Sequence, residues 1–149
     1  PLVLVHGFTG DLSDWRFQVE EFAPTHRVLV LDNRGHGRSE KPADPAAMSV
    51  LAMADDVEAV AAAVGFERFH LVGHSMGGAI AQEIALRSPQ KLLSLTLEDT
   101  SHSFAEIART PPPAPPALPP ERQQQVAERL AAMGPDILRA GWQALLSWP

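Results

Sequence analysis

Short apolar runs alternate with longer amphipathic stretches along the first hundred residues. Leu2 to Val5 is an unbroken apolar run of strand length, and Val28 to Leu31, Phe69 to Val72 and Leu92 to Leu97 supply three more. Between them apolar residues recur at helical spacing. Trp15, Val19 and Phe22 follow Asp11 and Ser13, either of which can cap a helix. Met53, Val57, Val60 and Val64 mark one face of a second helix, whose other side carries Asp55, Asp56 and Glu58 and which Gly65 ends. Ile80 and Ile84 give a third helix, within Gly78 to Leu86, its buried face. Near-continuous apolar strands joined by amphipathic helices predict an α/β fold, a parallel sheet covered on both faces in three α/β/α layers.

The pattern changes after residue 110. Seven prolines fall within residues 111–120, too many for a helix or an inner strand, so a stiff extended connector is expected. A Pro-rich peptide ligand is the alternative. Beyond it Val126, Leu130 and Met133 define one helix, and Leu138, Trp142 and Leu145 another, with Gly134-Pro135 between them. Two helices outside the strand–helix alternation predict the start of a helical cap over one sheet edge; ordinary covering helices are the alternative. The expected organisation is a core over 1–110, a connector over 111–120 and the start of a cap over 121–149.

Composition narrows the function classes. A chain of 149 residues is about one domain. Its net charge of -6 has no basic tract behind it, which argues against nucleic acid and anionic membrane as partners. The absence of cysteine excludes disulfides, thiolate metal sites and cysteine nucleophiles, and agrees with a reducing, cytoplasmic setting. No apolar stretch reaches the roughly 18 residues of a membrane span. The chain opens directly on a core strand, which reads as a fragment; its part-sheet would then keep an apolar edge prone to self-association.

The chemistry collects where strands end, the ligand-binding edge of an open parallel sheet. Gly73-His74-Ser75-Met76-Gly77 joins the third strand to the third helix, with a serine at the apex and glycines two positions to either side. Such a strained turn pushes one hydroxyl out of the sheet edge, and Gly78 lets the following helix pack close. Helix N-terminal N–H groups then lie where negative charge develops on an attacked carbonyl. A phosphate-binding turn is the alternative, but it lacks the lysine of a phosphate loop and the spacing of a dinucleotide fingerprint. The N–H groups of Met76 and Phe8 are the candidate oxyanion donors, with Gly7 permitting the tight loop that presents Phe8. Asp32, Arg34, Gly35, His36 and Gly37 follow the second strand and are expected to tie their own loop together. His6 is expected to support the oxyanion loop and His74 to make a structural hydrogen bond. Asp99 and His102, after the fourth strand, are the substitute candidates for acid and base. No histidine pair has metal spacing with a carboxylate, so no metal or other cofactor is expected.

These residues resemble the α/β-hydrolase superfamily. His6-Gly7-Phe8 resembles its oxyanion-loop motif, Asp32-Asn33-Arg34-Gly35-His36-Gly37-Arg38-Ser39 its D-x-R-G-x-G-x-S segment, and Gly73-His74-Ser75-Met76-Gly77-Gly78 its nucleophile elbow. The resemblance is close over residues 2 to 100 and loose from 121. It is nearest to the esterase, enol-lactonase and C–C hydrolase branch. Epoxide hydrolases and haloalkane dehalogenases place aspartate where this chain has Ser75, so the resemblance implies acyl transfer on a small ester, lactone or related substrate. It also implies an acid after a later strand and a histidine after the last one, neither within these residues. The 149-residue chain is therefore expected to be weakly active or inactive alone. A binding or scaffold module that kept the fold is the rival reading, and a cofactor-free haloperoxidase or an acyltransferase the rival within enzymes.

Overall fold

The structure, a computed structural model, describes residues 1–110 and 117–148. Strands β1 (Leu2–Val5), β2 (Val28–Leu31), β3 (Phe69–His74) and β4 (Leu92–Glu98) form one parallel sheet in the order β2-β1-β3-β4. Leu4 pairs with Val30 on one side and Val72 on the other, so β1 is interior and all four of its residues are buried. Side chains alternate across the sheet. Leu2 and Leu4 meet Trp15 and Val19 on one face, while Val3 and Val5 join the larger core on the other.

Helix α1 (Arg16–Phe22) covers the first face and follows a 3-10 turn, Leu12–Trp15. Asp11 is the cap: its carboxylate accepts from the Ser13 N–H at 2.8 Å, and the Asp14 carboxylate accepts from the Asp11 N–H at 3.3 Å. This reciprocal pair satisfies donors that the start of a helix leaves free. Helices α2 (Val50–Ala63) and α3 (Met76–Arg87) cover the second face. The Ser49 hydroxyl caps α2 by accepting from the Ala52 N–H at 3.1 Å.

The buried row of α2 differs from the expected one. It runs through Val50, Met53, Ala54, Val57 and Ala61, whereas Val60 and Val64 are 36% and 40% exposed. Counting bulky apolar residues picks one row; close packing picks the row with the small Ala54 and Ala61. The acidic side of α2 is fully used. Asp55 pairs with Arg87 at 2.8 Å, Glu58 with Lys91 at 2.8 Å, and Asp56 accepts two hydrogen bonds from Arg34 at 2.6 and 2.7 Å.

One helix has no counterpart in the apolar pattern. α4 (Phe104–Arg109) is six residues long and buries only Phe104, too few positions for a period to show. Of the proline-rich segment, residues 111–116 lie outside the described residues. Residues 117–119 carry no regular element, and α5 (Pro120–Met133) begins on a proline, a position where the missing N–H costs nothing. Gly134, at φ 77°, separates α5 from α6 (Pro135–Ser147). Met133 and Trp148 are core residues, and the Trp148 indole N–H donates to Glu83 at 3.1 Å. Trp142 is half-exposed, its ring 6.2 Å from that of Phe8. Helix α5 is held to the loop after β1: Arg129 pairs with Asp11 at 2.7 Å and Asp14 at 2.9 Å, and Arg122 reaches Asp14 at 3.1 Å. Burial alone would raise the Asp14 pKa, but Arg129 and Arg122 outweigh it and hold the carboxyl below its ordinary value. Among the described residues no helix is long and apolar enough to cross a membrane.

Candidate active site

The end of β3 and the start of α3 are joined by Ser75 alone. Its backbone sits at φ 51° and ψ -115°, a conformation that costs a non-glycine residue free energy and persists only when its surroundings impose it. The imposing contacts are visible. A Cβ on Gly77 would overlap the Val5 carbonyl oxygen and lie 2.8 Å from that of His6, so only glycine lets the first turn of α3 rest on the end of β1. Ser75 is the N-cap of α3, yet its side chain makes no capping bond. The hydroxyl makes no hydrogen bond to any described histidine or carboxylate. As the first residue of α3, Met76 has an N–H with no intrahelical acceptor.

The loop after β1 lies directly against this turn. A Cβ on Gly7 would sit 2.9 Å from the His74 ring and 3.1 Å from the Ser75 Cβ. Phe8 follows, and its N–H has no backbone partner among the described residues. Thr9 then takes φ 63°, a second non-glycine residue in the left-handed region within the same cluster. The Phe8 ring meets His36 edge-on at 5.8 Å and is roofed by α6, where a Cβ on Gly141 would lie 2.6 Å from it.

Two buried histidines brace this loop and its neighbour. The Asn33 N–H donates to His6 Nε2 at 3.0 Å, which leaves Nδ1 to donate to the Gly7 carbonyl at 2.8 Å. The Asn33 side-chain amide adds a bond to the His6 carbonyl at 3.2 Å. His36 donates from Nδ1 to the Arg34 carbonyl at 3.0 Å. Burial lowers the pKa of His6 and pushes that of His36 down to about 4, so both are neutral near pH 7. Asp32 accepts from the Leu12 and Arg38 N–H groups at 2.7 and 2.9 Å, stitching the loops after β1 and β2 together. A Cβ on Gly37 would collide with that carboxylate, and Gly35 takes φ 79°. Arg34 reaches further than its own loop: besides Asp56 on α2, it donates to the Ala47 carbonyl at 3.0 Å.

Other expected residues are placed differently. The His74 ring makes no hydrogen bond among the described residues and packs on Gly7 instead. His102 is 81% exposed, and its nearest charged group is Glu106 at 3.6 Å. Asp99 is exposed at φ 44°, a turn residue at the end of β4. The structure thus brings Gly7, Phe8, Ser75 and Met76 together and leaves Asp99 and His102 without a bond to the Ser75 hydroxyl. Asn33 and Thr100 were not assigned roles by sequence pattern. Side-chain bonds to distant backbone have no periodic signature. Among the described residues no cluster of three or more His, Asp or Glu is placed to hold a metal.

Residues 1–146 match the alpha/beta hydrolase fold family, and the chain belongs to that family. It is 40% identical over 114 residues to the fluoroacetate dehalogenase of a Burkholderia species, covering 72% of this chain and 38% of that protein. Among solved structures, a hydrolase from Pseudomonas aeruginosa PA01 superposes with TM-score 0.82 at 27% identity, over 99% of this chain and 64% of that one. Est816, described as an N-acyl homoserine lactone degrading enzyme, superposes with TM-score 0.76 at 28% identity, over 99% and 67%. The chain spans between 25% and 48% of the length of the curated relatives it matches.

Proposed function

We propose that the protein is a serine hydrolase acting on a small ester, lactone or related acyl substrate through an acyl-enzyme. Ser75 is the nucleophile. Its hydroxyl attacks the substrate carbonyl, the carbonyl oxygen becomes an oxyanion held by the Met76 and Phe8 N–H groups, and the leaving group departs with a proton. Water then attacks the acyl-serine and releases the acid. The observation that carries this reading is the strained Ser75 backbone: its hydroxyl makes no capping bond, and it lies next to the Met76 N–H and against the Gly7 loop that carries Phe8.

The residue at position 75 also chooses among the relatives. A dehalogenase is the more similar in sequence and a lactone-degrading enzyme matches in fold, but a serine forms an acyl ester where an aspartate would form an alkyl one. The base and its orienting acid are supplied by a part of the protein beyond these residues. His102 faces solvent and Asp99 serves as a turn, so the 149-residue chain alone turns over weakly or not at all. The scaffold reading draws on the same unpartnered hydroxyl. Labelling the intact protein with a serine-reactive fluorophosphonate separates the two. The hydrolase labels at Ser75 and loses both labelling and ester turnover in Ser75→Ala; equal labelling or turnover in that variant rules the nucleophile out.

A further inference from the structure

Both backbone groups of Ser75 are bound by the segment that ends β4. The Ser75 N–H donates to the Glu98 carbonyl at 2.9 Å, and the Ser75 carbonyl accepts from the Thr100 hydroxyl at 2.7 Å. Residues 98 and 100 flank Asp99, whose φ of 44° turns the chain so that both reach one residue. Thr100 is itself held tightly. It lies against α3 where a Cβ on Gly78 would come within 2.5 Å of its side chain. Gln82 on α3 donates to the carbonyls of Gly78, at 3.2 Å, and of Ser101, at 3.0 Å, fastening the next residue to the same helix.

The Ser75 carbonyl and the Met76 N–H belong to one planar trans peptide, so fixing the direction of one fixes the other. That carbonyl accepts from the Gly78 and Ala79 N–H groups, at 2.8 and 3.3 Å, as well as from Thr100. Hydrogen bonds to a carbonyl polarise its amide and strengthen the N–H on the opposite side as a donor. The two helical bonds are inherent to α3, whereas the Thr100 bond comes from outside it and ties the peptide to the sheet.

We propose that Thr100 is a positioning residue for the oxyanion hole: its hydroxyl orients and polarises the Ser75–Met76 peptide whose N–H stabilises the developing oxyanion. This rests on the roles given above to Ser75 and Met76. A donor that swings or weakens is felt only when charge develops, so its loss lowers kcat and leaves substrate binding alone.

The test is steady-state ester hydrolysis by the intact protein, its Thr100→Val, Thr100→Ser and Gln82→Met variants, and Ser75→Ala as the reference for the site itself. Valine keeps the packing on Gly78 and removes the hydroxyl. Removing an oxyanion donor outright costs about 10²–10³-fold in kcat, and disorienting one should cost about tenfold, at unchanged KM. Affinity for a boronic acid that mimics the tetrahedral adduct should fall by a similar factor. Thr100→Ser should restore kcat to within about twofold. Gln82→Met, which loosens the Thr100 loop without touching the peptide, should lose about threefold in kcat alone and keeps the proposal testable if Thr100→Val does not fold. The proposal is overturned if Thr100→Val or Gln82→Met keeps the parent kcat, if the loss falls on KM, or if Thr100→Ser does not rescue. When Ser75→Ala is inactive, those results remove the role of Thr100 alone. When Ser75→Ala turns over like the parent, the reading of Ser75 fails and this one with it.

Discussion

Strands β3 and β4 lie side by side, run in the same direction and carry similar apolar runs, yet they live in different surroundings. Phe69 and Leu71 of β3 are fully buried between β1, α2 and α3, while Leu93, Leu95 and Leu97 of β4 are 44%, 38% and 43% exposed. The sequences do not differ enough to explain this; the neighbours do. β3 has a strand on each side, and among the described residues β4 has one only on its β3 side. Each strand nonetheless delivers part of the same site. β3 leads directly into Ser75, and β4 leads into the turn that binds the backbone of Ser75 from both directions. Ser75 is therefore placed by the inner strand, and both of its backbone groups are bound from the tip of the outer one.

The largest expected effect falls on the inner strand's product. Ser75→Ala should reduce ester turnover by the intact protein at least about 10³-fold, with a circular dichroism spectrum and melting midpoint close to the parent's. Next comes the contact that bends the elbow. Gly77→Ala should destabilise the fold by about 3 kcal/mol or more, because its Cβ would meet the carbonyls of Val5 and His6 on the rigid end of β1. Urea unfolding measures this, and a cost below about 1 kcal/mol would mean the elbow is not pressed on β1.

A matched pair tests the strands directly. Leu71→Ala should cost about 2–5 kcal/mol, as for deletion of a buried leucine, and Leu95→Ala less than about 1 kcal/mol. Equal losses would show that something covers β4 in solution. We propose that a second copy of the chain does so at high concentration through the apolar β4 edge. Leu95→Lys should then lower the sedimentation-average mass without altering the melting midpoint of the dilute protein.

Acid provides a smaller, graded test. His36 and His6 titrate below 6.5 in the folded protein and near 6.5 when unfolded. The unfolded state thus binds more protons between about 6.5 and 4, and stability rises with pH across that window. It is complete above pH 6.5 and lost as pH falls towards 4, with His36 contributing up to about 3 kcal/mol. His36→Asn should flatten this slope in urea unfolding at stepped pH. The smallest effect is expected from Asp99→Asn, which removes a charge but keeps a residue tolerant of positive φ. Turnover within about threefold of the parent fits a turn residue, and a loss above a hundredfold would return Asp99 to the catalytic machinery.

Much of this architecture is legible in the sequence because it is periodic or local. The four strands, three main helices and the elbow follow from apolar runs, from spacing, and from small residues crowded around one serine. The buried row of α2 was not legible, because the choice between Val60 and Ala61 is made by how closely another helix approaches. α4 was too short to show a period. The brace of Asn33 on His6 and the bond from Thr100 to Ser75 cross 27 and 25 residues, and no local pattern encodes such a meeting. What the sequence makes plain is the serine turn itself; what holds it in register comes from neighbours on other strands.

The central claim is that Ser75 carries the acyl group, and mass spectrometry of acid-quenched protein tests it most directly. Mixing the intact protein with a slowly deacylating p-nitrophenyl ester and quenching within the first turnover should add one acyl mass, mapped by proteolysis to the peptide containing Ser75. The adduct should be absent in Ser75→Ala. An adduct on another residue, or full p-nitrophenol release with Ser75 unmodified, would contradict the account.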